Sequence, residues 1–405
     1  MKCRRVLVCL LLTLGLSALA PAYSADTLRP EVGKPLQEAQ QLIKAQKYKE
    51  ALAKVQEADG VSNRTSYESF VIERMRGAAA AGAGEVGVAA KAFDAVLASG
   101  RLSNDEQLKI MQAVAESFYR AKDYVKTAEW VQRYEKAGGN DPNVHLLLIQ
   151  SEYLGGDYAA AAKHLQAQLG ADEKAGRTPT EDQLQLLANC YLKLNDEAGY
   201  VVALEQLVTY HPKKEYWADL LGRVQRKPGF SDRLSLDVYR LMLATGNLAT
   251  ASDYMDMAQL ALQAGYPAEA QKVLAQGYAG KVLGTGQEAE RQKRLRDLAD
   301  KQAADDVKTL EVDVKAAATK TGDALINNGY DLVLNGHVEQ GLALMQQGIA
   351  KADLKRPDES RLHLGEAYLL AGKPADAAKA FKAVQGRDGA QDLARLWMVH
   401  TGTAG

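Results

Sequence analysis

Cysteine is scarce in this chain of 405 residues: Cys3 and Cys9 fall in an apolar N-terminal segment, and Cys190 stands alone. One cysteine beyond that segment excludes an internal disulfide framework. Histidine is almost as sparse. His145, His164, His211, His337, His363 and His400 never lie within four residues of one another, and none pairs with a cysteine at metal spacing, so no metal is expected. Neither sign of charge dominates, with 50 Lys plus Arg against 51 Asp plus Glu and a formal net charge of -1. Without a basic stripe, nucleic acid is excluded as a partner. Past residue 16 no apolar run approaches the roughly 20 residues that a membrane span needs, so the mature chain carries none.

Signatures of catalysis are missing too. No G-x-S-x-G elbow, no H-E-x-x-H and no carboxylate pair stands out from the many Asp and Glu of solvated helix faces. Gly82-Ala83-Gly84-Glu85-Val86-Gly87 fits the string G-x-G-x-x-G, yet an alanine-rich helical stretch precedes it where a dinucleotide fingerprint needs a strand. Gly284-Thr285-Gly286 lacks the Gly-Lys-Ser/Thr ending of a phosphate loop. The expectation is a chain without cofactor that is not an enzyme.

What is present begins with a leader. Lys2, Arg4 and Arg5 precede an apolar core from Val6 to about Leu16, followed by the small-residue stretch Ala18-Leu19-Ala20-Pro21-Ala22-Tyr23-Ser24. Those three zones define a secretory signal peptide, residues 1–24, with Ala25 as the first mature residue. Cys9 sits inside the apolar zone without the small residue that lipidation requires before it, and the leucine-rich core favours ordinary export over a twin-arginine route. Export removes three positive charges and no negative ones, which leaves 47 against 51. The expected location is the periplasm.

Beyond the leader, from Leu36 to Val399, Ala, Leu, Gln, Glu and Lys abound and apolar residues recur at three and four, so the fold class is all-α. Cys190 falls in such a pattern, Leu184-Gln185-Leu186-Leu187-Ala188-Asn189-Cys190-Tyr191, and fits a buried small hydrophobe. Short phrases repeat: Lys122-Asp123-Tyr124-Val125-Lys126-Thr127-Ala128 and Gly156-Asp157-Tyr158-Ala159-Ala160-Ala161-Ala162 are 34 residues apart. In the unit that starts near Leu364, a small residue (Gly365) and a ring (Tyr368) fall on one helix, Gly372 on the turn, and Ala377 and Phe381 on the next helix. Gly77, Gly84, Ala89 and Phe93 take the corresponding places earlier, and Tyr48, Ala51 and Ala58, or Tyr191, Asp196 and Pro212, mark further units. In period and in these positions the chain resembles the tetratricopeptide-repeat (TPR) family, of the exported bacterial type, over roughly residues 34 to 400.

The resemblance implies a right-handed superhelical solenoid of antiparallel helix pairs, about nine to ten units, held by nearest-neighbour contacts. Turns are expected at Gln46, Gly84, Lys122, Gly156, Asn195, Pro228, Gly265, Gly336 and Gly372, with one interval of 71 residues where the others run from 33 to 39. That interval predicts a degenerate unit with a turn near Lys301, or else a solvated hinge helix. The expected divisions are a TPR-like array over 25–280, a charged degenerate repeat or hinge over 281–320, and a terminal TPR pair and cap over 321–405.

Eighteen Tyr against five Phe is an unusual balance. Tyr119 and Tyr153 fall at positions that, by the resemblance, face the concave groove, where an amphipathic ring makes a good contact. Lys109, Gln112 and Glu116, then Asn143 and Gln150, then Asp182, Gln185 and Asn189 are their expected companions. Such an amide-rich lining suits an extended peptide or a partner's loop, because amides satisfy main-chain donors and acceptors alike. The functional expectation is a periplasmic scaffold or adaptor that binds another envelope protein. The alternative is a recruiter or regulator of cell-wall or exopolysaccharide enzymes, or a glycan-binding repeat protein, although Trp130, Trp217 and Trp397 are far apart in sequence. Fused to a reporter that is active only after export, residues 1–30 should give activity; retention of the fusion in the cytoplasm would overturn the compartment.

Overall fold

The computed structural model describes residues 27–317, 321–351 and 353–403. The expected signal peptide and its cleavage site lie outside these residues. Among the described residues there are α-helices and one 3-10 turn, and no strand. They divide between Ala171 and Asp172 into two compact units.

The first unit consists of α1 (Pro30–Lys44), α2 (Tyr48–Asp59), α3 (Ser66–Ala83), α4 (Val86–Ala98), α5 (Asn104–Arg120), α6 (Tyr124–Lys136), α7 (Pro142–Gly155) and most of α8 (Tyr158–Lys174). Local chemistry sets each boundary. Thr65 and Ser103 accept from the main chain of Glu68 and Glu106, whose carboxylates bind back, so a capping box starts α3 and α5. Glu68 also takes the Arg29 side chain, with Nε and Nη2 both at 2.9 Å, and that guanidinium holds its carboxyl down at about 2. Between the helices of a pair, one residue adopts the left-handed conformation, as at Gly84 (φ 83°), Lys122 (φ 60°) and Gly156 (φ 89°). An aspartate follows at Asp123 and Asp157, where its carboxylate accepts from the main chain three residues on and starts the next helix.

The second unit continues the pairs with α9 (Glu181–Leu194), α10 (Glu197–Tyr210), α11 (Lys214–Gln225), a 3-10 turn (Asp232–Leu234), α12 (Ser235–Ala244), α13 (Ala251–Ala264) and α14 (Pro267–Ala279). Then come α15 (Ala289–Ala317), α16 (Gly322–Leu334), α17 (Val338–Ala350), α18 (Pro357–Leu370), α19 (Pro374–Lys382) and α20 (Ala390–His400). Eight of the nine expected turn residues have positive φ; the exception is Pro228, whose ring forbids it, and Gly229 (φ 87°) takes the turn instead. No turn forms near Lys301. A single helix of 29 residues fills the long interval, because the stretch offers neither Gly nor Pro to break it and its charges pair at i,i+3 and i,i+4, as in Lys293–Asp297 and Lys308–Asp305. Gln292, Ala299, Ala303 and Leu310 form its narrow buried stripe, against α13, α14 and α16.

Where the helices of a pair cross, the expected close approach is present. A Cβ built on Gly77 would lie 2.7 Å from the Phe93 ring, and one on Gly365 2.3 Å from the Phe381 ring. Nearest-neighbour stacking does not account for the second unit, however. Its last helix, α20, packs on α10 and α12. Arg395 meets Glu205 at 2.8 Å, Lys227 meets Asp392 at 2.8 Å, and the Ser231 N–H donates to the Asp388 carbonyl at 2.8 Å. This unit closes on itself through residues more than 150 positions apart in sequence.

Gly365→Ala should cost about 1 to 3 kcal/mol, since a methyl group there overpacks the contact with Phe381. Adding Phe381→Leu should recover part of that loss in a double-mutant cycle read by denaturant unfolding; strictly additive losses would mean that the two residues do not meet.

Candidate functional site

The ten residues expected to line a groove keep contact with solvent, and none is buried. Lys109, Gln112, Glu116 and Tyr119 recur at three and four along α5, and Asn143, Gln150 and Tyr153 at seven and three along α7, so each set shares one helix face. The structure joins the two sets: the Tyr119 hydroxyl donates to Gln150 Oε1 at 3.2 Å. Within α5, Gln112 Nε2 donates to Glu116 at 3.1 Å. Leu146, on the same face of α7 as Asn143 and Gln150, is exposed, and so is Leu154 beside Tyr153. Both tyrosines are half-buried, each edge-on to the ring that opens the second helix of its pair: Tyr119 on Tyr124 at 5.8 Å and Tyr153 on Tyr158 at 5.4 Å. Asp182, Gln185 and Asn189 lie on α9 in the second unit, where Gln185 donates to Glu181 at 3.1 Å and to the Tyr216 hydroxyl.

A second constellation lies inside the second unit. Asp237 and Arg240 sit one turn apart on α12, Glu269 in the first turn of α14, Tyr330 on α16, and His363 and Glu366 one turn apart on α18. The Arg240 guanidinium is buried and bonded through all three of its nitrogens. Its Nε and Nη2 donate to the two oxygens of Glu269, both at 2.8 Å, and its Nη1 to Asp237 at 2.8 Å and to Glu366 at 3.0 Å. It also lies 4.6 Å from the Tyr330 ring centre and 5.5 Å from that of Tyr266. Asp237 holds His363 Nε2 at 3.0 Å, and Glu366 accepts from Trp397 Nε1 at 3.1 Å and from the Tyr330 hydroxyl at 3.3 Å.

Electrostatics follows from burial and count. Three carboxylates face one guanidinium and one imidazole, so burial and the neighbouring Asp237 charge push the Glu366 carboxyl up to about 7. Although burial opposes its charge, His363 is raised by Asp237. Ligand atoms of Asp237, His363 and Glu366 all lie within 4.8 Å of one another. A metal ion does not fit there, because Arg240 already bonds both carboxylates of this trio and Asp237 already holds the imidazole Nε2.

Beside this cluster is a cavity of about 570 Å³. Leu243, Met257, Val273, Val333 and Leu369 contribute apolar wall, while Arg240, Glu269, Tyr330, Glu366 and Trp397 supply the polar side. The sequence carried one faint signal of it, charged residues spaced at i,i+3 within apolar helix (Asp237 and Arg240, His363 and Glu366); nothing in it paired α12 with α18.

No protein family matches the chain, and no curated protein is similar to it. Among solved structures it is similar to the TPR2AB-domain:pHSP90-complex of yeast Sti1, at 13% identity and a TM-score of 0.25, over 73% of this chain and 99% of that one. The TPR domain of P58(IPK) gives 12% and 0.23, over 92% and 99%. Yeast Tom70 gives 10% and 0.25, over 92% and 96%. The fold rests on the helix pairs, caps and crossings themselves.

The sign of the pH effect at Glu366 is fixed by its direction. Its value in the folded chain lies above the ordinary carboxylate value of 4.5, so its stabilising share is complete below that pH and is lost as pH rises through about 7. His363, also raised, acts in the same sense as pH rises. The melting temperature of the native chain should therefore fall more steeply between pH 5 and pH 8 than that of Glu366→Gln, which keeps the shape without the titration. Parallel profiles would show that Glu366 does not titrate there.

Proposed function

We propose that this chain is an exported, non-enzymatic helical-repeat adaptor of the cell envelope, and that it holds an extended segment of a partner protein along α5 and α7. The observation that carries the reading is the Tyr119–Gln150 hydrogen bond between the first helices of successive pairs. It ties two half-buried polar residues into a continuous face that also presents Leu146 and Leu154. Such a face offers what an extended segment requires: amides for main-chain groups, rings at low entropic cost, and apolar spots for alternate side chains. Export is supported by the basic, apolar and small-residue zones of residues 1–24, and a periplasmic address follows from them. A glycan-binding role gains no support, since Trp130, Trp217 and Trp397 are all buried and none forms an open stacking platform.

Capture from an envelope extract tests the reading. Tyr119→Ala and Tyr153→Ala should each weaken retention of the partner by about thirtyfold, as truncation of a central aromatic contact typically costs about 2 kcal/mol. Helicity should be unchanged. A fall in melting temperature with retention intact would assign both rings to packing and remove this face from the proposal.

A further inference from the structure

The cavity of the second unit has features that a packing defect does not need. At about 570 Å³ it falls within the range of ligand pockets, roughly 300–1,000 Å³, and one end of it is a built polar floor. Charge on that floor is unevenly matched. Glu269 takes two of the guanidinium's donors in a bidentate pair, and Asp237 has both Arg240 and His363. Glu366, only 3% exposed, has a share of one Nη1 and two neutral donors, Tyr330 and Trp397. It is thus the carboxylate without a cation of its own, and it faces the cavity.

We propose that the cavity binds a primary ammonium carried on an apolar body, with the ammonium on Glu366 and the body against Leu243, Met257 and Val273. The three classes of head group separate on the same contacts. An anion would meet Glu269 and Glu366, while the one cation on the floor is already committed to them and to Asp237. A neutral hydroxyl can hydrogen-bond to Glu366 but leaves its charge unbalanced. An ammonium supplies the missing charge and three donors, and the rings of Tyr330 and Trp397, which also line the space, favour a cation. Lys272 lines the cavity too, but it is exposed and its ammonium is turned to the Leu334 carbonyl at 2.5 Å, so it does not serve Glu366. His400, the remaining titratable lining residue, is kept towards its neutral form by burial.

Calorimetric titration of the full chain with 4-phenylbutylamine, 4-phenylbutanol and 4-phenylbutyrate, at pH 8 where Glu366 is ionised, tests this. The amine should bind at least about tenfold more tightly than the alcohol, and the carboxylate should bind worst. Glu366→Gln should bring the amine down to the level of the alcohol. Ala244→Trp, at an exposed residue of the cavity lining, should weaken amine and alcohol alike with helicity unchanged. Equal affinity for amine and alcohol, preference for the carboxylate, or an amine affinity that survives both substitutions would overturn the proposal. The comparison of the three compounds on the native chain stands even if Glu366→Gln fails to fold. These outcomes are independent of the partner face on α5 and α7, because Tyr119 and Tyr153 are not among the lining residues.

Discussion

A phenyl ring seated on a helix backbone is the contact from which the rest of this structure follows. At Gly77 and Gly365 no side chain intervenes, so Phe93 and Phe381 reach the main chain of the opposing helix and set how closely the two helices of a pair cross. Once the crossing is fixed, the turn must reverse the chain in a few residues, which is why one left-handed residue separates the helices: Gly84 in the first of these pairs, Gly372 in the second. A pair built this way still has an unburied apolar face. Stacking the next pair against it is the only way to remove that face from water, and the order of α1 to α8 repeats that solution.

The second unit solves the same problem and adds a constraint of its own. In place of one helix pair stands α15, whose charged faces leave only a narrow stripe to bury. The pairs that follow return to the start of the unit, and α18 and α20 meet α10 and α12. That closure brings Arg240 out of water, which costs on the order of several kcal/mol unless its charge is paired and hydrogen-bonded. Glu269, Asp237 and Glu366 accept four hydrogen bonds from it, on three different helices. Removing any one of these carboxylates would strand donors of a buried guanidinium.

Much of the fold could be read from the sequence because its determinants are local. The positions of Gln46, Lys122 and Asn195 as left-handed turn residues follow from the phase of the apolar pattern, although none of them is a glycine. The phase sets a turn at Pro228, one residue early, because a proline ring's fixed φ excludes the left-handed conformation that Gly229 takes. The turn near Lys301 failed for a different reason: a period can be counted across a stretch that contains no residue able to break a helix. The candidate face on α5 and α7 was legible as spacing, with Tyr119 and Tyr153 one 34-residue period apart, whereas the hydrogen bond from Tyr119 to Gln150 was not. The Arg240 cluster was not, since its hydrogen-bonded members lie as far as 126 residues apart and are joined by closure of the unit. Glu366 stood next to Gly365 in the best-matched repeat, yet a repeat pattern assigns such a charged position to solvent.

That misassignment shows where repeat proteins hide chemistry. A helix in a stacked pair has two buried contacts, one with its partner and one with the next pair, and the remainder of its surface is free to be polar. When a non-adjacent helix covers that remainder, polar residues written for water become buried without any change in the local pattern. They then persist only if they satisfy one another, as Asp237 does with Arg240 and His363. The covering helices cannot interdigitate as tightly as the members of a pair, because charged side chains keep their hydrogen-bond geometry rather than the shape of the gap. Closure of this kind therefore tends to leave a void beside a polar floor, and in the second unit the void lies against Glu366, the one carboxylate whose charge the closure does not balance.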